Sequence, residues 1–189
     1  KLLKSEFDQY RTKQKPHPLM TENHINAVPF QHPQLNDWRE NFKGVQTVHK
    51  KTGFLITGAI DDVWVTPKKE LIVADYKATA KTDEVTLDDE LKDSYKRQME
   101  VYQWLLRHNG FTVLDTAYFV YANGMAGEAA FNKCLMFRLT ILPYEGNDSW
   151  VEPTLNDIKK CLDAPTAPTA GPDCEFCAYR EEADEALGT

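Results

Sequence analysis

The spacing of apolar residues along the chain predicts alternating blocks of helix and strand. Leu2, Leu3, Phe7 and Tyr10 recur at helical intervals and predict a helix at the start. Residues 14–37, with prolines at 16, 18, 29 and 33 among many polar positions, predict an extended loop with little regular structure. Residues 45–50, 54–65 and 71–77 then carry the β-branched and aromatic content of strands. The gaps between them, Lys51-Thr52-Gly53 and Thr66-Pro67-Lys68-Lys69-Glu70, are short and turn-rich, so the three runs are expected to form an antiparallel meander. Residues 82–93 are acidic and predict a mobile loop or a frayed helix start. Tyr95, Met99, Tyr102 and Leu106 return to helical spacing, and Asn109-Gly110 supplies a stop. Strands are expected at 116–121 and 133–142, a helix at 151–162, and a short helix from Cys174 onward, after a proline-rich linker over 164–172. No internal repeat is visible.

A chain of 189 residues, 42% of them hydrophobic, suits one domain with a sizeable core, so 1–189 is read as a single unit. Eighteen consecutive apolar residues occur nowhere, and no charged-then-apolar leader opens the chain, which leaves a cytoplasmic setting as the default expectation. The first residue is Lys1 and the opening helix lacks a capping residue before it, so an upstream segment is expected to be missing. The net charge of −7 opposes indiscriminate coating of nucleic acid. Two segments change that picture: 83–93 and 173–185 each hold six acids and one base, and without them 17 acids face 20 bases. The remainder is therefore mildly basic.

Candidate chemistry lies in the second hairpin. With the turn at 66–70, Val65 pairs with Leu71 and Asp61 lies opposite Asp75, on one face with Lys77 because side chains alternate. Leu71, Val73, Val63 and Ala59 make the rest of that face apolar or small, so it passes abruptly from core to charge. Two carboxylates about 5 Å apart repel by about 3 kcal/mol at an effective dielectric near 20. An ammonium would offset part of this, and a hard divalent cation such as Mg²⁺ or Mn²⁺ would reverse it. A surface ion pair at a strand end is the plainer account of Asp75 and Lys77, and a register slip by one residue would present Asp62 instead of Asp61.

Taken in order, Gly58-Ala59-Ile60-Asp61, then Ile72 through Lys77, then Gln98 to Tyr102 resembles the RecB-like branch of the PD-(D/E)XK nuclease superfamily. The likeness spans residues 44–109. It implies an α/β, restriction-endonuclease-like core: a mixed central sheet begun by the meander and flanked by helices. It also implies metal-dependent hydrolysis of DNA, with Mg²⁺ or Mn²⁺ held by Asp61, Asp75 and the Tyr76 carbonyl. Lys77 would orient or deprotonate the attacking water or stabilise charge on the phosphate, and Gln98 and Tyr102, four apart on one helical face, would hold Lys77 or the DNA backbone. Members usually carry a Glu or His on the helix before the sheet, and Glu6 is the best candidate for that acid. Relatives that hold an iron–sulfur cluster use one upstream cysteine and three near the C-terminus. Cys174-Glu175-Phe176-Cys177 fits part of that pattern, but no third ligand stands near Ala183, so a cluster or zinc site would need cysteines outside this chain. Cys161 and Cys134 sit in apolar patterns and are expected to be buried, and all four thiols to be reduced. The rival reading is a non-catalytic nucleic-acid-binding or scaffold subunit docked on a helicase. No nucleophile-and-base spacing for a small-molecule hydrolase is present.

Overall fold

The structure, a computed structural model, describes residues 2–88, 92–127, 130 and 133–188. It comprises two compact units, one ending at Val151 and one starting at Glu152. In the first, α1 (Leu2–Lys13), α2 (Pro18–Glu22), β1 (Val28–Pro29) and α3 (Leu35–Trp38) precede β2 (Val45–Val48), β3 (Leu55–Gly58), β4 (Asp62–Val65) and β5 (Leu71–Thr79). Then come α4 (Asp93–His108), β6 (Thr116–Gly124), β7 (Phe137–Glu145) and a 3₁₀ turn at Asp148–Trp150. Of the acidic segment 82–93, residues 89–91 lie outside those described.

Five strands form one mixed sheet in the order β1-β4-β5-β6-β7. β5 and β6 run parallel, which needs a crossover, and α4 provides it; the other neighbours are antiparallel. This is the α/β, restriction-endonuclease-like architecture. Alternation along β5 divides its side chains between two layers. Ile72, Ala74 and Tyr76 face α1 and α2, where Phe7, Leu19 and Met20 join Trp64, Val120 and Ile141 in a buried cluster. Phe7 stacks on Trp64 with ring centroids 5.7 Å apart. Val73, Asp75 and Lys77 face the other way, and α4 packs against β2, β3 and β5.

The expected three-stranded meander is corrected. The run 54–65 is two strands, because the chain bends after Gly58 and the Ile60 N–H donates to the Trp38 carbonyl at the end of α3 (3.0 Å). β2 and β3 consequently form a separate two-stranded sheet, and β4 pairs with β1 on one side and β5 on the other. β1, α2 and α3 also replace the structureless loop expected over 14–37. His17 caps α2, its ring nitrogen accepting from the Leu19 N–H, with Pro18 at the first helical position. The hairpin register is as anticipated: Val65 pairs with Leu71 and Asp62 with Ala74.

In α5 (Val151–Asp163) and α6 (Glu175–Leu187), the cysteine expectations change. Cys161 and Cys134 are exposed rather than buried. Cys174 caps α6, which brings Cys177 one turn away, and the two form a disulfide with Cα atoms 5.3 Å apart, where reduced thiols were anticipated. No described helix is long and apolar enough to cross a membrane.

Candidate active site

β4 and β5 separate within the hairpin, and the chemistry collects where they part. The ladder ends at Asp62–Ala74, so Asp61 stands just before β4 and its side chain takes over the role of a strand partner. Its Oδ2 accepts the Tyr76 N–H at 2.9 Å. In a strand the N–H and C=O of one residue leave on the same edge, so the Tyr76 carbonyl points out beside Asp61 as well.

Asp75, one residue back, is buried. Lys77 Nζ lies 2.8 Å from its Oδ2. The two form a close ion pair, so Lys77 is the charged neighbour of this buried oxygen. Burial raises the Asp75 carboxyl above the ordinary carboxylate value, Lys77 and Lys4 pull it back, and Asp61 pushes it up again. The Asp61 contribution is the like-charge repulsion expected of a facing pair.

α4 closes the cluster from the other side. Gln98 Oε1 accepts from Lys77 Nζ at 3.1 Å, and the ammonium sits 4.2 Å from the centroid of the Tyr95 ring. Tyr102 is buried, and burial together with the Asp75 and Asp61 carboxylates holds its phenol in the protonated form, with Gln98 as hydrogen-bond partner. α4 comes this close because of Gly58. A Cβ there would lie 2.8 Å from Tyr102 Cε1 and 2.9 Å from Leu105 Cδ1. A groove of about 470 Å³ opens beside the cluster, lined in part by Gln98, Tyr102, Arg97 and Gly58. The larger cavity, about 600 Å³ between Gln14, His24, Val28 and Lys69, contains no carboxylate among its lining residues.

Asp61, Asp75, Lys77, Gln98 and Tyr102 are thus brought together, with Tyr76 contributing backbone. Glu6 is not. It pairs with His17 Nε2 at 3.3 Å and is largely exposed. The residue of α1 that reaches the site is Lys4, whose Nζ lies 2.5 Å from Asp61 Oδ1. On a helix, residues two apart diverge by about 200°, so Lys4 and Glu6 cannot share a face.

A family model for the PD-(D/E)XK nuclease superfamily matches residues 2–181. The chain belongs to that superfamily. No curated protein and no solved structure matches it. PD-(D/E)XK proteins generally hydrolyse phosphodiester bonds. The match runs through both compact units and includes the Asp61, Asp75 and Lys77 positions.

Sequence reasoning also missed the support behind this PD-(D/E)XK cluster. Asp62, the alternative in a slipped register, points to the opposite layer and is fully buried. It accepts from Arg11 at 2.5 Å, Arg39 at 2.9 Å, the Tyr76 hydroxyl at 2.7 Å and the Val63 N–H at 2.8 Å. Arg39 extends further: its Nη1 pairs with Asp8 at 2.9 Å and its Nε donates to the Asp61 carbonyl at 3.0 Å. The guanidinium therefore ties the main chain of Asp61 to a buried ion network. Helical spacing holds the available signal, since Lys4, Asp8 and Arg11 recur on the same side of α1 as the buried Phe7.

Proposed function

We propose that the chain is a metal-dependent nuclease that hydrolyses phosphodiester bonds of DNA, of the RecB-like branch, using Mg²⁺ or Mn²⁺. The observation that carries this reading is the meeting of Asp61 and Asp75 with Lys77 and Gln98 at one point of the sheet. Among the described residues no three His, Cys, Asp or Glu side chains gather, so the donor set consists of two carboxylates and the Tyr76 carbonyl. These oxygens suit a hard cation, and the buried Asp75 carboxylate, whose charge burial disfavours, gains from one. When bound, the ion supplies Lewis acidity towards the phosphate.

The chain's own residues do the remainder. Lys77, held by Gln98 and the Tyr95 ring, orients or deprotonates the attacking water and balances charge developing on the phosphate. Tyr102, kept protonated, accepts from Gln98 and donates a hydrogen bond to the DNA backbone. Glu6 takes no part. DNA is the partner, with a helicase-type subunit as a second one and no membrane. An iron–sulfur cluster or zinc would require cysteines from outside this chain.

One observation favours the scaffold reading instead: Lys4 already occupies Asp61, and that pair must open before Asp61 can ligate a cation. Incubating the protein with Mg²⁺ or Mn²⁺ and single-stranded DNA, duplex DNA and RNA, beside Asp75→Ala, decides between them. Metal-dependent cutting of DNA that Asp75→Ala abolishes supports the nuclease. Binding without cutting under every condition supports the scaffold.

A further inference from the structure

Two ammonium groups already stand at the carboxylate pair, and they are held differently. Lys77 is fixed by Asp75, by Gln98 and by the Tyr95 ring, and its side chain is 18% exposed. Lys4 reaches in from the first turn of α1 on a flexible four-carbon stem, 34% exposed, to Asp61 Oδ1. The other oxygen of Asp61 serves the fold, because Oδ2 accepts the Tyr76 N–H. Oδ1 is therefore the oxygen that Asp61 can offer to an incoming cation, and Lys4 sits on it. Burial pushes the Asp75 carboxyl up and Lys4 joins Lys77 in pulling it back, so the Lys4 ammonium acts on the second carboxylate as well. Lys4 thus does weakly, for both carboxylates, what a divalent ion would do strongly.

The charges around the site point the same way. Its ion pairs join Lys4, Lys77, Arg11 and Arg39 to Asp61, Asp75, Asp8 and Asp62, four cations to four anions. The cluster is balanced as it stands, with Lys4 filling the place of a cation at Asp61. A divalent ion on Asp61 Oδ1 beside the Lys4 ammonium would put two cations side by side on one oxygen, where partial shielding from water makes their repulsion strong. One of them has to leave. The partly exposed lysine can do so by side-chain rotation, while Phe7 and Arg11, both buried, keep α1 in place.

We propose that Lys4 is a built-in competitor of the metal ion: the site exchanges between a closed state, with the Lys4 ammonium on Asp61, and a loaded state, in which a divalent cation has taken Asp61 Oδ1 and Lys4 has swung into solvent. The inference rests on the nuclease reading above and deepens it by naming what regulates the same site. Because entry of the ion must first open the Lys4–Asp61 pair, the protein holds divalent ions less tightly than its carboxylates alone would. Lys4 acts through Asp61, by position and charge, and does not touch the reacting atoms.

The test is made on the whole protein without nucleic acid. Mn²⁺ titration, read by electron paramagnetic resonance of the free ion, compares wild type with Lys4→Met, which keeps the apolar stem and removes the charge, and with Lys4→Arg, which restores it. Lys4→Met is expected to bind Mn²⁺ roughly fivefold more tightly, the factor carried by one partly exposed ion pair that no longer has to open, and Lys4→Arg no more tightly than wild type. A second readout needs no variant: acetylation of wild type by an N-hydroxysuccinimide ester, followed by mass spectrometry, with the exposed Lys68 of the β4–β5 turn as internal reference. Saturating Mg²⁺ should raise labelling of Lys4 several-fold relative to Lys68. If wild type binds Mn²⁺ but Lys4→Met binds it equally or less tightly, or if Mg²⁺ leaves Lys4 labelling unchanged, the exchange is refuted and the nuclease reading survives. If wild type and Lys4→Met both fail to bind Mn²⁺, the nuclease reading fails and the exchange with it.

Discussion

Asp61 and Asp62 are adjacent, yet the structure gives them opposite tasks, and substitution should separate them. Asp62 is fully buried between the Arg11 and Arg39 guanidiniums and also accepts from Tyr76 and the Val63 amide. Asp62→Ala leaves two arginines, whose side chains are 7% and 14% exposed, sharing Asp8 alone. Breaking a buried pair from one side costs about 3–5 kcal/mol. For a protein of this size each kcal/mol lowers Tm by about 2–4 °C, so the expected drop is roughly 6–20 °C. Asp61→Asn retains an acceptor for the Tyr76 N–H and loses only the ion pair with the partly exposed Lys4, worth about 1 kcal/mol or less. Its Tm should stay within about 4 °C of wild type. Calorimetric melts of both variants in chelator-treated buffer give the comparison. An Asp62→Ala protein that melts as high as Asp61→Asn would show that the buried network does not support the site.

Other expectations follow from particular contacts. Gly58→Ala places a methyl group against Tyr102 and Leu105, and an overpacked contact of this kind costs about 1–3 kcal/mol; chemical denaturation should show that loss, together with reduced turnover as α4 carries Gln98 away from Lys77. Lys77→Ala removes a charge that does not ligate the ion, so calorimetric Mn²⁺ titration should give near wild-type affinity while cleavage falls by two or more orders of magnitude. His32, packed against Trp38 and Phe111, has its imidazole held below the usual histidine value because burial disfavours the charged ring. The folded state thus binds fewer protons than the unfolded chain once pH drops below about 6.5. Stability should decline as pH falls through that value towards the lower folded pKa, and Tm measured from pH 7.5 to 5.5 should decline less steeply in His32→Asn.

The central hairpin was legible in the sequence because a five-residue turn between two β-rich runs leaves one favourable register, and that register places Asp61 by Asp75. α4 was equally legible, since its apolar stripe and terminal Asn109-Gly110 are local signals. The break after Gly58 was not, because it depends on Ile60 finding a carbonyl at the end of α3, more than twenty residues earlier in the chain. Short elements such as β1 and α3 escaped for a related reason: with two and four residues, their conformation is set by tertiary partners rather than by periodicity. At the site, carboxylate chemistry points to Glu6, whereas its position on α1 directs it towards His17; spacing from the buried Phe7 points to Lys4. Arg11 shares the helical stripe of Phe7, but Asp62 reads in sequence as the alternative of a slipped register and Arg39 lies outside any periodic run, so their joint burial becomes visible only once α1 and α3 are packed against β4.

The Asp61–Asp75–Lys77 cluster is proposed to cut phosphodiester bonds with a divalent ion. The most direct measurement is cleavage of end-labelled DNA by wild type and Asp75→Asn, with Mn²⁺ and after chelation. Wild type should cut, lose cutting on chelation and regain it when Mn²⁺ is restored, and a folded Asp75→Asn protein should not cut. Cutting by Asp75→Asn at the wild-type rate, or cleavage that persists without a metal ion, would contradict it.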